Sequence, residues 1–213
     1  METQKKPISY WEEIKRKGVH LSSLWMVAAT LLLAKYQWIS CLLFFVLLVL
    51  TLVSEHDYAN KGRYLGRLYG KLFGKMLRDE VKPGQWIVSG GAPVLAAALL
   101  MNLIFSPLIA ASGLTVMLTG DAAAALIGRR FGTHKTVNGK SWEGFAAFIA
   151  AGFAALSVVF AITGVPGKIY LWGLCAVILA AVAELFQKQL KVDDNFSIPL
   201  CVGIVLYLSS RFC

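Results

Sequence analysis

Charge is what this chain has least of. Only 15% of its residues are Asp, Glu, Lys or Arg, where a soluble domain carries nearer a quarter. Cysteine is thin as well: Cys41, Cys175, Cys201 and Cys213 contain no C-x-x-C pair, which speaks against a zinc site or a disulfide framework. A cleavable signal peptide is not expected, because the first apolar run follows a charged helix and is itself followed by others. The phosphate-loop pattern G-x-x-x-x-G-K-[ST] is missing. Gly139-Lys140-Ser141 could end one, but Gly132 stands two residues too far back and no strand precedes it. The two halves of the chain show no similarity, which argues against an inverted-repeat transporter.

What the chain has instead is apolar length: 57% of it is hydrophobic. A membrane span needs about 20 predominantly apolar residues, and seven runs qualify, roughly 20–35, 37–54, 86–105, 107–127, 143–164, 169–187 and 196–211. The expected fold is all-α, a polytopic helical bundle of about seven spans forming one domain over 1–213. Cytoplasmic loops are enriched in Lys and Arg. With the N-terminus inside, 18 of the 21 cations fall on inner segments. The reading is therefore a multi-pass integral membrane protein with a cytoplasmic N-terminus and a site facing the cytoplasm. Its compact length suits a bacterial or archaeal cell membrane. The net charge of +9 belongs to this orientation signal and to contact with anionic inner-leaflet lipids, not to nucleic acid.

Two segments flank this core. In "SYWEEIKRKGVH", Ser9 and Glu12 have the spacing of a capping box, and Glu13, Arg16, Lys17 and His20 share one helical face. That face is either a solvated surface with a Glu13–Lys17 pair or a polar face turned inward to a site. Residues 62–77 repeat "GRYL GRLY GKLF GKML", glycine and then a cation every fourth position. On a helix this gives an apolar arc beside a cationic one, an amphipathic interfacial helix over about 58–79. Its glycines suit close packing against another helix or lipid headgroups.

The acids ask for their own explanation. All twelve lie in the inner half under this topology, and an ionisable residue on a span is a functional hypothesis by default. Asp121, Glu143 and Glu184 sit at inner span ends, as do Glu55, Glu80, Asp193 and Asp194, beside Arg129, Lys135 and Lys140. Ser141 is a plausible helix cap with Glu143 in the first turn. Carboxylates mixed with cations and a helix N-terminus suit a Mg²⁺-bound polyphosphate, because Mg²⁺ takes one or two carboxylates and completes its shell with phosphate and water. Plainer readings stand beside this one: Glu184 and Lys188 as an i, i+4 pair, Asp193-Asp194-Asn195 as a polar turn, and His134 as a solvated loop residue.

The stretch "GDAAAALIGRRFGTHKTVNGKSWEGF" resembles the signature of the CTP-dependent lipid-alcohol kinases: dolichol kinase, phytol kinase and the CTP-using diacylglycerol kinases. The matching positions are Gly120-Asp121, Gly128-Arg129, Phe131-Gly132, Lys140-Ser141 and Glu143-Gly144. Glu13, Arg16, Lys17 and His20 resemble the family's N-terminal motif, and Glu184, Asp194, Asn195 and Pro199 its closing one. Phe145 and Phe196 depart from the common Ser and Leu. The resemblance implies metal-dependent transfer of the γ-phosphoryl group of CTP to a membrane lipid alcohol such as a polyprenol, phytol-like isoprenoid or diacylglycerol. The expected catalytic residues are Asp121, Lys140, Glu143 and Glu184, with Asp121 and Glu184 on the metal. The expected nucleotide contacts are Arg129, Lys135, Lys140, Ser141, Asp194 and Asn195. Arg16, Lys17, His20, Glu55 and Glu80 are further candidates at the cytoplasmic face. The alternatives are a cytidylyltransferase acting on a phosphorylated lipid and a non-enzymatic transporter or lipid-binding protein.

Overall fold

A computed structural model describes residues 9–60, 65–73, 91–136 and 138–212. Among them the chain is helical apart from turns and one isolated bridge. The helices are α1 (Tyr10–Ser22), α2 (Trp25–Leu32), α3 (Gln37–Ala59), α4 (Leu65–Phe73), α5 (Gly91–Ile104), α6 (Pro107–Phe131), α7 (Trp142–Thr163), α8 (Lys168–Leu185), α9 (Gln187–Leu190) and α10 (Asp194–Phe212).

Among the described residues four segments are long and apolar enough to cross a membrane: Ala34–Ala59, Pro107–Phe131, Trp142–Thr163 and Lys168–Leu185; residues 86–90 of the expected 86–105 run lie outside the described residues. The apolar helical stretches Gly91–Ile104 and Asp194–Ser210 are shorter. The run expected over 20–35 is not one helix. It breaks at Ser23–Leu24, where the amides tighten onto the carbonyls three residues back, Ser23 to His20 (3.1 Å) and Leu24 to Leu21 (3.0 Å). The Ser22 hydroxyl also bonds back to the Val19 carbonyl at 2.6 Å. The second expected run is longer than its apolar pattern. Helix α3 continues through Glu55, His56 and Asp57 and ends only at Asn60. The interfacial helix expected over 58–79 loses Tyr58 and Ala59 to α3; its described part is α4, and residues 61–64 and 74–79 lie outside the described residues.

Helix α6 is the centre. Of its most apolar 18-residue stretch 72% is buried, against 11% in the stretch containing α3. Small residues make this possible. Ala110, Ala111, Ser112, Gly113 and Thr115 are all buried and let neighbouring helices approach closely, which replaces the hydrophobic drive that lipid cannot supply. The hydroxyls of Ser112, Thr115 and Thr119 donate to carbonyls four residues back at 2.7–2.8 Å, so no donor is stranded in apolar surroundings. Helix α6 packs on α7, α10, α2, α1 and α5. Where α6 crosses α7 the contact is glycine on glycine. A Cβ on Gly144 would lie 2.9 Å from the Ala124 carbonyl and 3.2 Å from the Gly128 Cα.

Two polar seams fasten the periphery. Asn102 on α5 donates to Thr30 (3.2 Å) and accepts from Ser40 (3.1 Å), while Gln37 caps the carbonyls of Asn102 and Phe105 at 2.6 Å. This ties α2, α3 and α5 together through satisfied buried groups. The second seam joins α4 to α3. Asp57 accepts from the Gly66 amide at 2.6 Å, Tyr69 donates to Glu55 at 3.2 Å, and Gly66 and Gly70 lie against Tyr58. The glycines described in the repeat therefore serve a helix–helix contact.

Candidate functional site

The polar face of α1 turns inward. Ser9 and Glu12 form the expected capping box, which starts the helix so that Glu13 and Lys17 are 5% and 4% exposed. Neither bonds the other as the solvated reading required. Glu13 takes Arg16 at 2.5 Å and stands 3.6 Å from Arg129 of α6. Lys17 reaches across to Asp121, Nζ to Oδ2, at 2.5 Å. His20 Nε2 lies 3.4 Å from the same oxygen, without hydrogen-bond geometry. Both neighbours address Oδ2, and Asp121 Oδ1 carries no hydrogen bond among the described residues.

A second ion pair comes from α8. Lys140 Nζ bonds Glu184 Oε1 at 2.5 Å and also the Glu184 carbonyl. Glu184 is buried and takes this partner instead of Lys188, which is exposed. Lys140 is held there by its loop. Lys135 and Ser141 form an antiparallel bridge that turns at Gly139, whose φ of 75° suits glycine. Asn138 and Gln189 exchange side-chain amide bonds at 2.7 and 2.9 Å, and Asn138 also donates to the Leu185 carbonyl at 2.6 Å. The loop is thus strapped onto the α8–α9 junction.

Glu143 organises the same loop from the other side. Its Oε1 accepts from the Thr133 amide (3.2 Å) and hydroxyl (2.7 Å) and from the His134 amide (3.1 Å), with His134 Nδ1 at 2.7 Å. Ser141 caps α7 by accepting from the Gly144 amide at 3.1 Å. Glu143 and Ser141 therefore act here as loop and helix organisers. Lys135 is exposed.

Helix α10 brings Asp194 up to the cluster, ahead of its apolar run. Burial first, and then the charges of Asp121 and Asp193, push its carboxyl up to about 6; Lys17 and Lys140 oppose the rise. Asp194 has no hydrogen bond or ion pair among the described residues. Asn195 is turned to Asp193, its amide and side chain donating at 2.9 and 2.7 Å. Thus α1, α6, α8, α10 and the 132–141 loop place Lys17, Asp121, Glu184, Lys140 and Asp194 within one another's electrostatic reach. Two candidates stand apart: Glu55 is buried against α4 and Arg129 is turned to Glu13. Glu80 lies outside the described residues. Thr133, Asn138 and Gln189 are the positioning residues that sequence reasoning missed. Only the Asn138-Gly139 turn signal pointed near them.

Comparison with known proteins gives distant relatives. An uncharacterized protein of Rickettsia prowazekii is 26% identical over 92% of this chain and 94% of its own length. A phytol kinase of Synechocystis sp. is 32% identical over 54% of the chain and 52% of its own length. A probable chloroplastic phytol kinase of Triticum aestivum is 36% identical over 45% of the chain and 35% of its own length. The chain therefore spans about half the length, or less, of these phytol kinases. No protein-family model matches it, and no solved structure does. By sequence, the chain is a distant relative of proteins named phytol kinase, and it has the apolar helices of a membrane protein.

Proposed function

We propose that this protein is a CTP-dependent kinase of a membrane lipid alcohol, working at the cytoplasmic surface of a cell membrane. The observation that carries the reading is the meeting of a buried ion pair, Lys17–Asp121, and a part-buried one, Lys140–Glu184, with Asp194, which is unpaired among the described residues. Burying that much charge is costly unless it is used. Phosphoryl transfer is mostly positioning and charge stabilisation, and alternating carboxylates and ammonium groups supply both. Similarity to the phytol kinases supports the class of acceptor, a lipid hydroxyl.

The donor set fits Mg²⁺ only as a nucleotide-bound ion. Among the described residues no three His, Cys, Asp or Glu side chains converge as a metal cage. Asp121 Oδ1, Glu184 Oε2 and the Asp194 carboxylate carry no hydrogen bond among the described residues, and Mg²⁺ commonly uses one or two carboxylates, with phosphate oxygens and water completing its shell. Glu184, expected on the metal, gives Oε1 to Lys140 and keeps Oε2 for the ion. Its part in this reading is also to aim that ammonium. A bound magnesium–nucleotide supplies charge neutralisation at the transferring phosphoryl group. Lys17 and Lys140 neutralise the equatorial oxygens, with Lys135 reaching the triphosphate from the loop. With Asp121 Oδ1 given to the nucleotide-bound ion, Asp194 would take the proton of the lipid hydroxyl as the new P–O bond forms and CDP leaves. The alcohol reaches the cluster sideways from the inner leaflet, its tail along the apolar helix surfaces.

The test is purified full-length protein with γ-labelled CTP, Mg²⁺ and a panel of polyprenol, phytol and diacylglycerol. Labelled lipid monophosphate together with CDP is the expected result. Release of pyrophosphate with CMP on a phosphorylated lipid would assign a cytidylyltransferase instead. No transfer to any alcohol overturns the reading.

A further inference from the structure

An open groove of about 390 Å³ runs between α1 and the last turn of α6, lined by Tyr10, Trp11, Ile14, Arg129 and Arg130. The proposed kinase chemistry uses none of these five. Trp11 is 72% exposed, a large amphipathic ring left outside the bundle. Arg130 has no acidic partner among the described residues. Its guanidinium stands 6.0 Å from the Tyr10 ring centre and 5.4 Å from that of Phe131, an aromatic platform that leaves its N–H fork free for an anion. Arg129 is only loosely paired, 3.6 Å from Glu13.

A cation at a helix C-terminus can be there only to offset the macrodipole, and that accounts for Arg129 or Arg130 alone. It does not account for an open aromatic-walled groove beside them. The groove also sits at the end of a helix long and apolar enough to cross the membrane, where tryptophan and tyrosine favour the headgroup level. Two guanidinium groups suit a phosphate in bidentate geometry, while Trp11 and Ile14 offer an apolar wall for glycerol and the upper acyl chain. We infer that the α1–α6 groove is a binding site for the headgroup of an anionic membrane phospholipid, held by Arg130 and Arg129 against Tyr10 and Trp11.

The occupied groove bears on the neighbouring cluster through Glu13. That carboxylate is shared between Arg16 and Arg129, one helical turn from Lys17. A phosphate that draws Arg129 outward parts it from Glu13 and fixes the end of α1 at the membrane surface.

Native mass spectrometry of the full-length protein in detergent tests the site without any nucleotide, so its outcome is separate from that of phosphoryl transfer. The wild type is titrated with phosphatidylglycerol and with phosphatidylcholine. Retention of phosphatidylglycerol several-fold above phosphatidylcholine is expected, with R130Q and W11A each lowering it about threefold or more and R129Q/R130Q by about tenfold. Glycerol phosphate at millimolar concentration should compete only weakly, because it lacks the acyl contacts. Melting temperatures of the variants keep misfolding apart from lost binding, and R67Q/K71Q on α4 serves as the control for the other basic surface. Equal retention of the two lipids overturns the site, as does a preference that R129Q/R130Q leaves intact or that R67Q/K71Q alone abolishes.

Discussion

Lys17 Nζ lies 2.5 Å from Asp121 Oδ2, joining residues 104 positions apart across the α1–α6 contact, and both side chains are buried. A lysine on the helix ahead of the bundle thus supplies the countercharge for an acid on the bundle's central helix. Removing one partner of a buried pair leaves the other uncompensated, which costs about 3–5 kcal/mol, whereas replacing both often costs little. Lys17→Met should therefore lower the unfolding midpoint in detergent steeply, and Lys17→Met/Asp121→Asn should recover most of it. A double variant no more stable than Lys17→Met would place the countercharge of Asp121 elsewhere.

The glycines give predictions of opposite sign. A Cβ at Gly144 meets the Ala124 carbonyl at 2.9 Å, so Gly144→Val forces α6 and α7 apart, at a cost of about 1–3 kcal/mol by overpacking. Gly18 lies inside α1 with nothing within 4 Å of where a Cβ would stand. Gly18→Ala should stabilise by about 0.5–1 kcal/mol, since it only removes backbone freedom. Thermal melts of the two variants side by side check both signs.

Glu143 gathers Thr133 and His134 onto one oxygen. Its loss frees the start of the loop that ends in Lys140. In Glu143→Ala, amide exchange at Thr133 and His134 should accelerate, and phosphoryl transfer should fall about tenfold or more, since misplacing a positioning group is costly. The kcat should fall more than the KM rises, because the change acts on Lys140 at the reacting phosphate. Unchanged exchange at both amides would remove Glu143 from this role.

Asp194 sets a pH dependence. Its carboxyl is raised from 3.8 to about 6, first by burial and then by Asp121 and Asp193. Ionising it costs the folded state. The contribution is therefore fully present below about pH 4 and is lost as pH rises through about 6. In a metal-free buffer, the stability of wild type relative to Asp194→Asn should decline from pH 4 to 7. A flat difference would mean that neither burial nor Asp121 and Asp193 raises it.

Much of this was legible in the sequence, and the failures have physical reasons. Helical periodicity and the capping box put Glu13, Lys17 and His20 on one face, and the apolar runs set α6 and α7 within a few residues. Partner choice was not legible. Lys188 stands one turn from Glu184, yet Lys140, 44 residues away, takes it, because the loop is strapped to α8 by Asn138 and Gln189. The break at Ser23 was equally hidden, since local amide bonds, not hydropathy, end α1 there. The extension of α3 past residue 54 follows from Glu55 and Asp57 finding partners on α4, a tertiary fact that no local window contains.

The central claim is that the Lys17–Asp121 and Lys140–Glu184 pairs grip one metal-bound triphosphate. It is tested most directly by the melting temperature of the detergent-solubilised protein with and without Mg²⁺ and CTP, in wild type, Asp121→Asn and Lys140→Gln. The account predicts that Mg·CTP raises the wild-type midpoint by several degrees, that CTP in EDTA does so far less, and that either substitution removes most of the rise. An equal rise in all three proteins, or none in the wild type at millimolar Mg·CTP, would contradict it.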